Sequence, residues 1–154
     1  MSVLTFRQAT TADLPAIVAL LRDDMLGAGR EGEAEDPAYA QAFAAMEAQG
    51  GNRVLLACDG EEVVGCLQLI LIPGLSLNGM LRAQIEGVRA AASRRGEGVG
   101  AALVDEALRR AHSQGAGLAQ LTSNAARTEA HRFWEACGFD QTHLGYKMSL
   151  VDPA

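Results

Sequence analysis

The feature that most constrains the fold is a run of glycines between an alternating segment and a helical one. The run is RRGEGVGAAL, residues 94–103, and the segment before it, MLRAQIEGV, alternates between two faces. Leu81, Ala83 and Ile85 share the apolar face, and Arg82, Gln84 and Glu86 share the polar one. The pattern predicts a strand over 80–88, a helix over 98–113 and a strand over 118–122. Such a β-α-β unit is expected to have parallel strands and a right-handed crossover.

The remaining segments extend this unit to a complete domain. VLTFRQA predicts a first strand, and Thr10 with Asp13 predicts the start of a first helix. Asp36-Pro37 begins a second helix, Asp59-Gly60 is the turn of a hairpin, RTEAHRFWEACGF is a later helix and YKMSL is a last strand. The predicted fold class is therefore α/β with a mixed sheet, in the order β-α-α-β-β-β-α-β-α-β. We expect one domain over residues 1–154.

Composition excludes several classes of protein. The net charge of −6 argues against nucleic-acid binding and is compatible with a cationic ligand such as an amine. The start of the chain does not resemble a signal peptide, and no stretch approaches the roughly 20 apolar residues of a membrane span. The three cysteines and three histidines are dispersed, so neither a disulfide framework nor a metal site is expected. A cytoplasmic protein with reduced thiols is predicted.

The glycine run itself favours an anion as ligand. It lacks the Gly-Lys-Ser/Thr ending of a nucleotide-binding P-loop, and its G-x-G-x-G spacing and late position do not match a dinucleotide fingerprint. Exposed N–H groups at a helix start bind phosphate, and glycines allow a close approach to them. Arg94 and Arg95 are placed to add charge-assisted contacts. The competing interpretation is a glycine-rich helix start selected only for tight packing.

Three stretches resemble the GNAT superfamily of N-acetyltransferases. Arg95-Gly96-Glu97-Gly98-Val99-Gly100 matches its Arg/Gln-x-x-Gly-x-Gly/Ala pattern, and FRQATTADLPAIVALL and HRFWEACGF match further segments. The resemblance implies splayed central parallel strands and acetyl-CoA as cofactor, with its pyrophosphate held by the backbone of that six-residue motif. It also implies that Val88, Arg89 and Ala90 bind the pantetheine arm by strand addition. Asn124 matches a further pantetheine contact, or else it caps a turn.

The chemistry implied by the resemblance depends on Glu86 and Trp134. Glu86 matches a base that deprotonates the amine, often through water, and a carboxylate so placed needs burial to be an efficient base. The alternative is a structural pair with Arg82 or Arg89. Trp134 stands where many members have a tyrosine acid, and indole cannot practically give up its proton. Tyr146, Tyr39, His131 and water are other donors, but unassisted departure of the thiolate is favoured, so no acid is assigned.

The predicted function is acetyl-CoA-dependent N-acetylation of a primary amine on a small molecule or peptide, with Glu86 as the base. The alternative is a non-catalytic sensor or regulatory module that binds CoA or acyl-CoA. A homodimer is expected by analogy with the family, and neither a nucleic acid nor a membrane is expected as partner.

Overall fold

The computed structural model describes residues 2–23 and 27–153, which form two compact units, Met1–Leu121 and Thr122–Ala154. The strands are β1 Thr5–Gln8, β2 Asn52–Asp59, β3 Glu62–Ile72, β4 Arg82–Ala90 and β5 Leu118–Gln120. The helices are α1 Leu14–Arg22, α2 Pro37–Gln49, the single turn α3 Ser76–Gly79, α4 Val99–Ser113 and, in the second unit, α5 Thr128–Ala136. In the part of the chain that the structure describes, no helix has the length and apolar character needed to span a membrane.

The five strands form one mixed sheet in the order β1-β2-β3-β4-β5. The first four are antiparallel to their neighbours, whereas β4 and β5 are parallel, as the β-α-β unit predicts. Pairing between β4 and β5 runs only from Arg82↔Leu118 to Gln84↔Gln120, while β4 continues to Ala90. After Gln84, β4 has no strand partner on this side among the described residues, in agreement with the predicted splaying, while β5 is the edge strand of this sheet rather than a central one.

Helices cover both faces of the sheet. A Cβ added at Gly65 of β3 would lie 2.8 Å from Val99 and 2.9 Å from Leu103, so α4 packs closely against that face. On the opposite face, Phe43 of α2 belongs to a buried apolar cluster. Its other members come from α1, the strands and the chain after β1: Ala9, Ile17, Leu20, Leu56, Cys58 and Cys66. Burial on both faces explains the nearly continuous apolar sequence of β2 and β3.

A β-bulge interrupts β4 at Gly87 and Val88. Cys66 of β3 pairs with Arg89 and Gln68 pairs with Glu86, so two residues of β4 lie opposite one of β3. Gly87 adopts a φ of +58°, which glycine accepts without strain. The additional residue places Glu86 and Arg89 on the same face of the sheet, although they are three positions apart.

The predicted last strand, YKMSL, is wrong. Residues 146–150 have no strand assignment, and Tyr146, Met148 and Leu150 are 88%, 83% and 92% exposed. Alternation in a sequence specifies which side chains share a face, but a strand also needs a neighbour for its backbone hydrogen bonds. The second unit contains α5 as its one element of regular structure among residues 122–153.

Candidate functional site

The glycine run forms the start of α4, as predicted. Gly98 is the N-cap of the helix with a φ of +81°, and Gly96 has the same φ. A Cβ added at either glycine would meet no atom within 4 Å. The left-handed backbone therefore requires glycine here, and the space beside it is open to a ligand.

The N–H groups that follow Gly98 point out of the helix. The first bond of the helical ladder runs from the N–H of Ala102 to the carbonyl of Gly98, at 3.0 Å. The N–H groups of Val99, Gly100 and Ala101 precede that ladder, and they carry the positive end of the helix dipole. Val99 is buried, which fixes this turn against the sheet.

The two arginines beside the glycines are engaged by the protein itself. Arg94 forms ion pairs with Asp59, at 2.9 Å, and with Glu97. Arg95 donates from Nη2 to the backbone carbonyl of Asp23, at 2.9 Å. Their role in the structure is to hold the loop in place, a role that the sequence analysis did not assign.

An open cleft of about 600 Å³ lies between α1 and the end of β4. Its lining comes from α1 and the residues next to it, from β3 and from the turn after β4: Ala16, Ala19, Leu20, Arg22, Asp23, Val63, Ala91, Ala92 and Ser93. The Asp23 carboxylate accepts from the N–H of Ala92, at 3.2 Å, and so joins α1 to this turn. The sequence did not predict a role for Asp23, because no motif around it indicates a residue that lines a cleft and bonds to a distant turn.

Val88, Arg89 and Ala90 lie on the part of β4 that β5 does not cover. All three are half-buried, and Arg89 donates from Nη1 to the carbonyl of Val88, at 2.9 Å. Strand edges of this kind accept an extended chain through their backbone groups.

Glu86 lies at the bulge, on the polar face of β4. Its side chain is exposed, so the burial that would strengthen it as a base is not present. Its Oε1 accepts a hydrogen bond from Nε2 of Gln84, at 3.1 Å, rather than from Arg82. The Glu86 carboxylate is thus held by an amide while remaining accessible to water.

Asn124 and His131 have structural roles within the second unit. Oδ1 of Asn124 accepts from the N–H of Ala126, at 2.9 Å, which is the turn-forming alternative considered above. Nε2 of His131 lies 2.9 Å from the carbonyl oxygen of Asn124. Both contacts stabilise the turn that leads into α5.

Trp134 belongs to an aromatic cluster in the same unit. Its ring packs edge-on against Phe133, with centroids 4.9 Å apart, and against Phe139, at 5.4 Å. Trp134 therefore has a packing role here, and a tyrosine ring could make similar edge-to-face contacts.

Tyr39 lies in the first turn of α2 and contacts the acidic segment before that helix, which contains Glu31, Glu33, Glu35 and Asp36. Its hydroxyl donates to Glu31 at 2.8 Å and accepts from the N–H of Gly32, and the bond to Glu31 raises the Tyr39 pKa above its usual value. Glu33 pairs with Arg22, and Asp36 caps α2. These contacts give Tyr39, Glu31, Glu33 and Asp36 structural roles.

Comparison with known proteins identifies the family. The sequence pattern of the Acetyltransferase (GNAT) family matches residues 14–139. This match covers most of the chain, including the glycine loop, the bulged strand and the cleft. The chain therefore belongs to the GNAT family of acetyltransferases.

Individual relatives agree in sequence or in fold. An aminoalkylphosphonate N-acetyltransferase of Salmonella typhimurium is 29% identical over 150 residues, covering 97% of this chain and 94% of that one. A solved structure from Bacillus halodurans C-125, described as a transcriptional regulator, is 42% identical with a TM-score of 0.90, covering 96% and 100% of the two chains. Glucosamine-6-phosphate N-acetyltransferase from Arabidopsis thaliana shares the fold, with a TM-score of 0.80 at 16% identity and coverage of 97% and 99%.

Proposed function

We propose that this protein is an acetyl-CoA-dependent N-acetyltransferase that acts on a primary amine. The observation that carries the proposal is the left-handed glycine cap of α4. It leaves open space beside exposed N–H groups, directly after a strand whose edge beyond Gln84 has no strand partner in the part of the chain that the structure describes. Membership in an acetyltransferase family supports the same function.

The residues around the loop fit coenzyme A. The pyrophosphate would be held by the backbone of the Arg95–Gly100 loop, chiefly by the N–H groups at the start of α4, because these need no cationic side chain and no Cβ blocks them at Gly96 or Gly98. The N–H groups of Arg95 and Glu97 already donate to the carbonyls of Ala92 and Arg94. The uncovered edge at Val88–Ala90 would pair with the pantetheine arm, and Asn124 remains a further proposed contact. When bound, acetyl-CoA supplies the activated thioester.

Glu86 is the proposed base. Its carboxylate is exposed on the part of β4 beyond its pairing with β5, and it attracts the ammonium form of a substrate. Because it is open to water, it can accept the proton of the amine through a water molecule and release it to solvent. No residue is assigned as the acid for the thiolate.

The acceptor is proposed to be a small molecule. The relative from Salmonella typhimurium acts, by its name, on aminoalkylphosphonates. We therefore place short amines that carry a phosphonate or carboxylate first in the panel of acceptors, with polyamines and peptide amines as comparison classes.

Gly98→Asp tests the cofactor site. The substitution puts an anion where the pyrophosphate is proposed, so CoA should no longer raise the melting temperature. For the unaltered protein, CoA at 100 times its Kd should add about 2.7 kcal/mol of stability. Differential scanning fluorimetry with and without CoA measures both.

Gly115→Asp is the matched control for this test. Gly115 also has a positive φ, of +94°, with open space beside it, but it lies at the opposite end of α4. It should lower stability to a similar extent and still respond to CoA. A full CoA response in Gly98→Asp would contradict the proposed site, and Gly96→Asp repeats the test if Gly98→Asp does not fold.

Release of free thiol from acetyl-CoA tests the activity. With the right amine the unaltered protein should release thiol, and Glu86→Gln should lower kcat by about 10²-fold or more, the usual contribution of a general base. Gln68→Leu, on the neighbouring strand, should leave kcat within about twofold. Full activity in Glu86→Gln would remove Glu86 as the base.

A CoA-binding regulatory module is the second candidate. Two observations favour it: Trp134 replaces the expected tyrosine, and the 42% identical structure from Bacillus halodurans is described as a transcriptional regulator. CoA binding without thiol release across the whole panel would select this candidate over the enzyme.

A further inference from the structure

A continuous chain of hydrogen bonds runs across β4 and β5 and ends on Glu86. Nη1 of Arg82 lies 3.3 Å from Oε1 of Gln120, and Nε2 of Gln120 lies 2.9 Å from Oε1 of Gln84. Nε2 of Gln84 then donates to Oε1 of Glu86 at 3.1 Å. We call these four residues the amide chain.

The backbone explains why these side chains meet. Arg82, Gln84 and Glu86 alternate along β4 and so share a face of the sheet. Gln84 is paired directly with Gln120 in the parallel register. The amide chain therefore depends on the short stretch over which β4 and β5 remain together.

The chemistry of its two ends gives the amide chain one direction. A guanidinium only donates hydrogen bonds, and a carboxylate only accepts them. Each glutamine amide between them has to accept from the arginine side and donate toward Glu86. Turning either amide over would place two oxygens or two NH₂ groups against each other, so the orientation of both amides follows from the network.

The geometry points to Gln84 and Gln120 as positioning residues for Glu86. This inference rests on the proposed function, in which Glu86 is the base. The Glu86 side chain is exposed, and without a partner it would sample several rotamers. The N–H donor of Gln84 holds Oε1 and leaves Oε2 to meet the proton of the substrate or of water. Arg82 sets the direction from the far end.

Two substitutions at Gln120 separate positioning from packing. Gln120→Glu keeps the shape and the contact with Arg82, but it can only accept, so Gln84 turns over and presents its carbonyl to Glu86. We expect kcat to fall by about tenfold, the size of one hydrogen bond to a charged group, with an unchanged KM for acetyl-CoA. Gln120→Leu leaves Gln84 able to donate, so its effect should be smaller. If Gln120 only packs, the order of the two effects will be reversed.

A second background excludes a direct effect of the new charge. In Gln84→Leu the amide chain is cut, so Gln120→Glu should cause no additional loss of kcat. An undiminished tenfold loss in that background would mean that the charge acts through space, and would overturn the role of Gln84. Gln68→Leu is the matched control, because Gln68 lies opposite Glu86 but donates to Asn52 instead.

Side-chain amide NMR tests the amide chain without activity. The Gln84 resonances, assigned by their absence in Gln84→Leu, should move in Glu86→Leu and in Gln120→Glu, but not in Gln68→Leu. Unmoved resonances would overturn the amide chain itself. Full activity in Glu86→Gln would instead refute the base assignment while leaving the hydrogen bonds in place, so the two failures are distinguishable.

Discussion

At the scale of single residues, glycines determine how closely the elements of the site approach each other. Gly98 provides a backbone conformation, whereas Gly65 provides space. A Cβ at Gly65 would lie within 3.0 Å of Val99, Leu103 and the carbonyl of Arg89. Val99 is also the first residue of α4, so the absence of a side chain on β3 helps to place the start of that helix.

Gly65→Ala is predicted to destabilise the protein by about 1–3 kcal/mol, because the neighbours it would contact are buried and cannot move freely. Urea unfolding measures the effect. Gly29→Ala is the control: its Cβ would meet nothing within 4 Å, and it should change stability by no more than about 0.5 kcal/mol. Equal effects of the two substitutions would contradict this close approach.

At the scale of elements, α4 is fixed at both ends. Its start packs on the sheet through Val99, and near its end Arg110 donates to the carbonyl of Phe6 in β1, at 3.3 Å. Glu106 joins Arg109 and Arg110, at 2.6 and 2.7 Å. The bond with Arg109, and to a smaller extent that with Arg110, lowers the pKa of Glu106 to about 2 from its usual 4.5.

Glu106→Gln should therefore lose stability in a pH-dependent way. Because the pKa is lowered in the folded state, the contribution of Glu106 is complete above pH 4.5 and is lost as pH falls toward 2. The substitution should cost about 1 kcal/mol at pH 7, as expected for a surface network, and progressively less below pH 4.5. Urea unfolding from pH 7 to pH 3 measures this. Asp105→Asn, on the exposed side of α4, should show a smaller cost, and a pH-independent cost for Glu106→Gln would refute the explanation.

At the scale of the whole molecule, the sequence predicts the sheet well and the details of the site less well. The β-α-β unit, the hairpin at Asp59-Gly60 and the glycine start of α4 follow from local patterns and are confirmed. The exposure of Glu86 and the internal partners of Arg94 and Arg95 could not be predicted, because they depend on elements far away in sequence. YKMSL alternates clearly but forms no strand, because the pattern within a segment does not specify a neighbouring strand for its backbone hydrogen bonds.

The bulge at Gly87 changes which residues of β4 face each side of the sheet, partway along the strand. Up to Glu86 the even-numbered residues face the polar side, and beyond the bulge Arg89 takes over that side while Ala90 pairs with Gly65. If this strand were replaced with a regular one of equal length, every side chain beyond Glu86 would face the opposite side of the sheet. Arg89 would then be directed toward buried Val99 and Leu103, so chimeras of this domain need to retain the additional residue together with Glu86.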